Sequence, residues 1–124
     1  NLLPVEVRAA DQGGLRMFAA GLGEIAGAPA TATAVGQRGV LALRPEQVRV
    51  LAGSERQEMD NHFRGTVHDY LYLGDVTVYK IALDNGSVIE SLLANSLPGR
   101  ARFLERGDAV EVGWQREAGV YLRD

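Results

Sequence analysis

The stretch from Gly65 to Leu122 constrains the fold most, because short runs of alternating apolar residues are cut there by tight-turn signals. In Val76 to Leu83, successive side chains point to opposite faces, which predicts a strand with one buried face. The Asp84-Asn85-Gly86 triplet that follows tolerates positive φ, as a tight hairpin requires, and Ser87 to Leu92 is the predicted partner strand. The pattern predicts an all-β fold.

The N-terminal part of the chain shows the same kind of pattern. Pro4 to Ala9 alternates as a strand does, Asp11-Gln12-Gly13-Gly14 predicts a turn, and Leu15 to Ala20 is the predicted returning strand. From Gly27 to Gly39 the residues are small and few are bulky and apolar. We therefore expect a loop there, with a weak strand at Ala30 to Val35 inside it.

A proline divides the next pair of predicted strands. Val40 to Arg44 and Val48 to Leu51 alternate, and Pro45-Glu46-Gln47 between them predicts a bend, because proline fixes φ and cannot donate to a ladder. Polar residues without a hydrophobic repeat follow and predict a connector. No repeat of about 20 to 50 residues is evident. The predicted organisation is one small domain with a first lobe at 1–51, a connector at 52–61 and a second β lobe at 62–124.

Composition bounds the possible functions. With 124 residues, 46% of them hydrophobic, the chain is long enough for one core. The net charge of -3 is spread evenly, so no basic patch indicates nucleic acid. The absence of cysteine excludes disulfides and thiolate chemistry. It also fits a reducing compartment. No apolar run approaches the roughly 18 residues that span a bilayer.

Catalytic motifs are absent from the sequence. It lacks GxxxxGK[ST], so the chain cannot by itself cradle nucleotide phosphates, and its serines have no nucleophile-elbow context. His62 and His68, with Asp60 and Asp69 nearby, invite a metal hypothesis. Six residues apart on a strand, however, the two imidazoles would lie about 20 Å from each other, so a shared ion would need a bend. We interpret them as surface or hydrogen-bonded histidines and predict no cofactor and no metal.

Several motifs in their order and spacing resemble a known family, the transport-associated OB (TOBE) module at the C-terminus of ATP-binding subunits of ABC importers. The resemblance extends over nearly the whole chain, and its ending favours the spermidine/putrescine branch. The motifs that carry it are Leu41-Ala42-Leu43-Arg44-Pro45-Glu46, Gly65-x-Val67, Tyr72-Leu73-Gly74, Thr77-x-Tyr79, Gly107-Asp108-x-Val110-x-Val112-x-Trp114 and Val120-x-Leu122.

The resemblance implies a fold, a role and a set of partners. The expected fold is an OB-like small β-barrel with a second β lobe. The expected role is non-catalytic: to help pair two copies of the subunit and to tune ATP hydrolysis in an attached ATPase domain. The implied partners are a second copy, that ATPase domain, the membrane subunits of the transporter and possible small-solute effectors, but no nucleic acid. The implied location is the cytoplasm, at the inner face of the plasma membrane. A chain that begins with Asn1 fits a piece of such a subunit.

Two surface segments are candidates for an interface or a ligand site. One is the turn region around Asp69 to Asp75, where aromatic and apolar side chains surround a glycine. The other is the bend after the strand that ends at Arg44, whose guanidinium is either a surface partner of Glu46 or a cationic donor at the crevice between lobes. Trp114 ends an inward-facing series and is assigned to the core. The candidate residues are Arg44, Glu46, Tyr70, Tyr72, Leu73, Gly74 and Asp75.

Two alternatives from other functional classes remain open at this point. A free-standing anion-binding module would use backbone amides of glycine-rich turns with Arg44 or Arg100. A single-strand nucleic-acid binder would stack bases on Tyr70 and Tyr72, which share a strand face, but the acidic net charge opposes it.

Overall fold

The computed structural model describes residues 1–30, 33–51, 59–94 and 104–123. Strands dominate this part of the chain, and short 3-10 turns occur at Pro45–Gln47 and Arg116–Ala118. The strands are β1 (Leu2–Asp11), β2 (Gly14–Ala19), β3 (Gly23–Gly27), β4 (Arg38–Leu43), β5 (Arg49–Leu51), β6 (Asn61–Tyr72), β7 (Val76–Leu83), β8 (Val88–Ala94), β9 (Ala109–Trp114) and β10 (Gly119–Arg123).

The strands form two five-stranded antiparallel sheets. The first sheet has the order β10-β4-β1-β2-β3, and the second has the order β5-β9-β6-β7-β8. In each sheet the two edge strands approach one another, β10 with β3 and β5 with β8. Each sheet is therefore curled into a small, partly open barrel, which confirms the predicted all-β, OB-like class.

The two halves of the chain exchange their last strands. β5 leaves the first half and pairs with β9, where Val50 lies opposite Val112. β10 leaves the second half and pairs with β4, where Tyr121 lies opposite Leu41. The sheets therefore do not follow the predicted lobes at 1–51 and 62–124, because each lobe is completed by a strand from the other. The exchange joins both lobes into one core.

The halves also repeat one another in detail. A β-bulge interrupts the ladder after Val7 in β1 and after Val67 in β6. Val7 exchanges backbone hydrogen bonds with Gln37 and Gly36, and Val67 does so with Asp108 and Gly107, all at 2.8–2.9 Å. The sequence was searched for repeats of about 20 to 50 residues, and the period of this duplication, from Val7 to Val67, is longer.

The core is continuous across both sheets, and the predicted alternation places its side chains. In β7 every second residue from Thr77 to Leu83 is buried. Tyr79, Ile81, Val112 and Trp114 are at most 1% exposed, as predicted, whereas Val110 is half-buried. A tilted ring contact of 5.5 Å joins Phe63 to Trp114.

Several local predictions hold and others do not. The hairpins at β1–β2 and β7–β8 are confirmed, with Gly86 at φ 86 in the second turn. The weak strand at Ala30 to Val35 is wrong for its described residues, which lie outside strands. β3 was missed because glycine and alanine give it little strand signal. Asn61, assigned to the connector, is instead the buried first residue of β6, and residues 52–58 lie outside the described part.

Candidate functional site

The bulge in β6 sets the direction of the candidate tyrosines. Val67 pairs with Ile81, and after the extra residue Tyr70 pairs with Tyr79. Without the bulge, strict alternation would place Asp69 on the core-side face after Val67. Tyr70 and Tyr72 share one strand face, as predicted, and the bulge makes it the face of Tyr79. The centres of the Tyr70 and Tyr79 rings are 6.2 Å apart.

The end of the β6–β7 hairpin carries a run of large, exposed apolar and aromatic side chains. Leu71, Tyr72 and Leu73 are 58%, 58% and 56% exposed. They surround the turn, where Gly74 has φ 90. We call residues 70–75 the hairpin tip. Leaving adjacent large apolar side chains in water is unfavourable, so such a group indicates a surface that binds something.

The first half provides an internal comparison for the hairpin tip. Its corresponding hairpin ends in polar and small residues, with Asp11 opposite Gly14 as the last pair. The β6–β7 hairpin continues further, through the Tyr72–Thr77 pair. Because the first half closes the same hairpin without exposed aromatic residues, the fold does not require the apolar hairpin tip.

A charged contact fixes the base of the hairpin tip. Arg106 donates from Nε and Nη2 to one carboxylate oxygen of Asp69, at 3.0 and 2.8 Å. Its guanidinium also lies 5.5 Å from the centre of the Tyr70 ring. The hydrogen bond from Arg106, with that from the Tyr70 amide, lowers the pKa of Asp69, and the same pairing raises the pKa of Arg106. No local sequence pattern indicates this contact, because Asp69 and Arg106 lie far apart along the chain.

The other candidates, Arg44 and Glu46, lie at the bend between β4 and β5. Arg44 is exposed, its backbone is extended, and its carbonyl accepts from the Gln47 amide at 3.0 Å. No ion pair between described residues joins Arg44 to Glu46. Glu46 lines an open cleft of about 470 Å³ with Arg49 and Glu117, between the two 3-10 turns. The structure thus places the arginine and the glutamate in different surroundings.

A second cleft, of about 440 Å³, lies where the β1–β2 turn meets the second sheet. Arg116 spans it, donating to the Gly13 carbonyl at 3.2 Å, and its backbone amide donates to Asp60 at 2.9 Å. Asp11 and Glu24 add carboxylates to the lining. Gly13 and Gly14 form a glycine-rich turn at this cleft, but the carboxylates here oppose an anion. Arg100 lies outside the described residues.

The two histidines lie in separate surroundings. His62 is partly exposed with Nδ1 3.9 Å from a Glu111 oxygen, while His68 is the exposed extra residue at the β6 bulge. Within residues 1–30, 33–51, 59–94 and 104–123, no three His, Asp or Glu side chains gather as metal ligands would. Nor do those residues form a helix with the length and hydropathy of a membrane span.

Two asparagines that the sequence analysis overlooked join the sheets. Asn61 of the second sheet exchanges two hydrogen bonds with the Ala26 backbone of the first, at 2.7 and 3.0 Å. Asn1 of the first sheet does the same with Glu90 of the second, at 2.7 and 2.8 Å. The one available signal was an asparagine near the beginning of each half, with Asn1 directly before β1 and Asn61 as the first residue of β6.

The paired OB-like sheets define a small all-β module. The family comparison agrees: residues 41–122 match the TOBE domain model. The chain belongs to the TOBE domain family, as the sequence motifs predicted. It therefore corresponds to a TOBE domain and not to an ATPase domain.

The similar curated proteins are subunits of polyamine importers. The chain is 50% identical over 110 residues to the spermidine/putrescine import ATP-binding protein PotA of Nitrosospira multiformis, covering 89% of this chain and 30% of that protein. It is 44% identical over 123 residues to PotA 2 of Pseudomonas aeruginosa, covering 99% of this chain and 34% of that protein. The chain thus spans about a third of the length of these relatives.

A solved structure shares the fold. The molybdate-binding protein ModG, in a crystal form with molybdate bound, superposes with a TM-score of 0.84 at 17% identity. The match covers 98% of this chain and 94% of ModG. At that identity the likeness establishes the fold alone, including both sheets.

Proposed function

We propose that this chain is the non-catalytic regulatory and dimerisation domain of the ATP-binding subunit of a polyamine-type ABC importer. The observation that carries the proposal is 50% identity to a PotA protein over 89% of the chain. Two joined sheets with exposed apolar residues support the proposal, and the sequence has no phosphate-binding loop. Such a module acts by binding and positioning other parts of a protein.

In this proposal the hairpin tip contacts a second copy of the chain. A two-fold axis would bring the same apolar surface of each copy together, as symmetric dimers do. Aromatic side chains in such contacts commonly dominate the binding energy, and truncating one costs on the order of 1 to 4 kcal/mol. Tyr72 is the strongest candidate because it is aromatic and more than half exposed.

The pairing would place the attached ATP-binding domains near each other, at the cytoplasmic face of the membrane subunits. Regulation would follow because a change in pairing changes how often the two ATP-binding domains meet. A small solute that bound this domain would act through the same equilibrium. Arg44 and Glu46 are secondary contact candidates, at the bend beside the exchanged strand β5.

Sedimentation velocity of the chain over a concentration series tests the pairing. We expect a monomer–dimer equilibrium that Tyr72→Ala shifts toward monomer. Val35→Ala is the matched control, because Val35 is also a large exposed apolar residue, 65% exposed, but lies in a first-half loop. If the two variants associate equally, the hairpin tip is not part of the dimer contact. If the unaltered chain is a monomer at every concentration, this domain alone does not form the dimer.

A further inference from the structure

The solvent-facing side of the first sheet is apolar across three adjacent strands. Leu2 of β1 and Val120 of β10 flank Ala42 of β4 in one row of paired residues. In the next row Pro4 and Leu122 flank Val40. We call these six residues the outer apolar face. Leu2, Val120 and Leu122 are 67%, 58% and 48% exposed, so the outer apolar face lies uncovered in the isolated chain.

The second sheet provides a comparison, because residues at the equivalent positions there face water. Because the halves repeat one another, each of the six positions has a counterpart. His62 and Arg49 flank Gly113, and Arg64 and Leu51 flank Glu111. These counterparts are mostly charged or polar, and His62 approaches Glu111 to 3.9 Å. The fold therefore accepts a polar surface here, and the apolar one in the first sheet indicates a contact with another surface.

We propose that the outer apolar face is the docking surface for the ATP-binding domain of the same polypeptide, an inference that rests on the proposed function. Relatives are about three times as long as this chain, which spans 30% to 34% of them. The match to these relatives is to their C-terminal region, so the remainder of such a polypeptide would precede β1. Leu2 of β1 is a member of the outer apolar face, so that remainder would enter the chain beside this face.

The size of the outer apolar face favours a tethered partner over a free one. Six side chains on three strands present on the order of 300 Å² of apolar surface. A free-standing dimer commonly buries about 800 Å² on each partner. A domain within the same polypeptide needs less area, since the linkage gives it an effective concentration in the millimolar range.

Charge also opposes a second copy on this face. Arg38, the first residue of β4, and Arg44, the residue after its last, are exposed at the two ends of the outer apolar face. If two copies packed face to face with aligned strands, arginines of one would lie over arginines of the other. The nearby acid, Glu6, already approaches Arg8 to 3.7 Å. A partner surface with an apolar centre and carboxylates at its border fits better.

Single cysteines at equivalent positions test the inference, because the chain itself has no cysteine. Val120→Cys lies on the outer apolar face, and Arg49→Cys is the matched control at the same place in the second sheet. Both would be placed in the complete polypeptide and labelled with a small maleimide. Mass spectrometry would measure the rate of maleimide labelling at each cysteine in buffer. Each rate would be divided by the labelling rate of the same cysteine in denaturant, which corrects for its intrinsic reactivity.

We expect labelling at position 120 to be at least about tenfold slower than at position 49, and this protection to survive dilution. Equal rates would overturn the inference, and protection that disappears on dilution would assign the outer apolar face to a second copy instead. ATP binding by the same preparation is measured separately. A polypeptide that binds no ATP contradicts the proposed function, whereas ATP binding without protection contradicts the docking surface alone.

Discussion

Asn61 of the second sheet holds the Ala26 backbone of the first sheet through both of its hydrogen-bonding groups. The amide N–H of Ala26 donates to Oδ1 at 2.7 Å, and Nδ2 donates to the Ala26 carbonyl at 3.0 Å. Asn61 is 3% exposed, so its side chain is largely shielded from water. The contact joins the edge strand β3 to the opposite sheet and thereby helps to fix the two sheets together.

Replacing Asn61 with alanine should destabilise the chain by about 2 to 3 kcal/mol, because two partly buried backbone groups lose their partners. Chemical denaturation measures the change. Gln12→Ala, in the exposed β1–β2 turn, is the control and should change the free energy of unfolding by less than about 0.5 kcal/mol. Equal stability of the two variants would show that the asparagine does not join the sheets.

Gly39→Ala tests the exchange of β10. A methyl group at Gly39 would collide with the carbonyl oxygen of Leu122 and lie 2.9 Å from the Tyr121 ring, because β10 runs directly beside β4 there. We expect a loss of about 2 to 3 kcal/mol and faster hydrogen exchange at the β10 amides. Val40→Ala, on the solvent-facing side of the same strand, should leave β10 protected. Unchanged β10 exchange in Gly39→Ala would contradict the pairing.

The Asp69–Arg106 contact should be visible in a titration. Because the pKa of Asp69 is lowered by the arginine, Arg106→Gln should move it upward toward its ordinary value. Because the pKa of Asp69 is lower in the folded state, the contact stabilises the fold at neutral pH. This stabilisation is lost as the pH falls through the lowered pKa. Carboxyl NMR shifts of Asp69 report this. Arg8→Gln, at a distant arginine, should leave the curve unchanged, and an Asp69 curve insensitive to Arg106→Gln would refute the contact.

The isolated chain should hydrolyse no ATP. The reason is chemical, since its sequence has no glycine-rich loop with a following lysine to hold nucleotide phosphates. A coupled phosphate-release assay on the purified chain measures this. Turnover that disappears on mutation of a residue within the chain would overturn the non-catalytic assignment, whereas turnover that such mutations leave unchanged would identify a contaminant.

Local pattern predicted the strands, and it could do so because alternation and turn residues act over a few residues. Thr77 to Leu83 alternate as β7 requires, and Asp84-Asn85-Gly86 forms its turn. Local pattern does not predict which strand pairs with which. Val48 to Leu51 has the same composition whichever sheet it joins, so the exchange of β5 was invisible in the sequence. The β-bulge at His68 likewise determines which face of the strand Tyr70 occupies. Nothing in the sequence around His68 predicts a bulge.

The candidate site was predicted in part. The aromatic and apolar residues of the turn region were identified from composition, and the structure places them together at the hairpin tip. Their role as an interface stays a prediction. The outer apolar face was not predicted, because Leu2, Val40 and Val120 become neighbours only after the strand exchange. The outer apolar face becomes evident as an unusual surface only by comparison with the charged residues at the equivalent positions of the second sheet.

ATP turnover by the assembled transporter tests the central claim most directly. Subunits carrying Tyr72→Ala would be compared with the unaltered protein and with Val35→Ala, at saturating ATP and matched protein concentration. We expect turnover to fall by about fivefold or more in Tyr72→Ala, since weaker pairing of the regulatory domains separates the ATP-binding domains. We also expect it to be unchanged in Val35→Ala. Equal turnover in all three proteins would contradict a regulatory role for this domain through pairing.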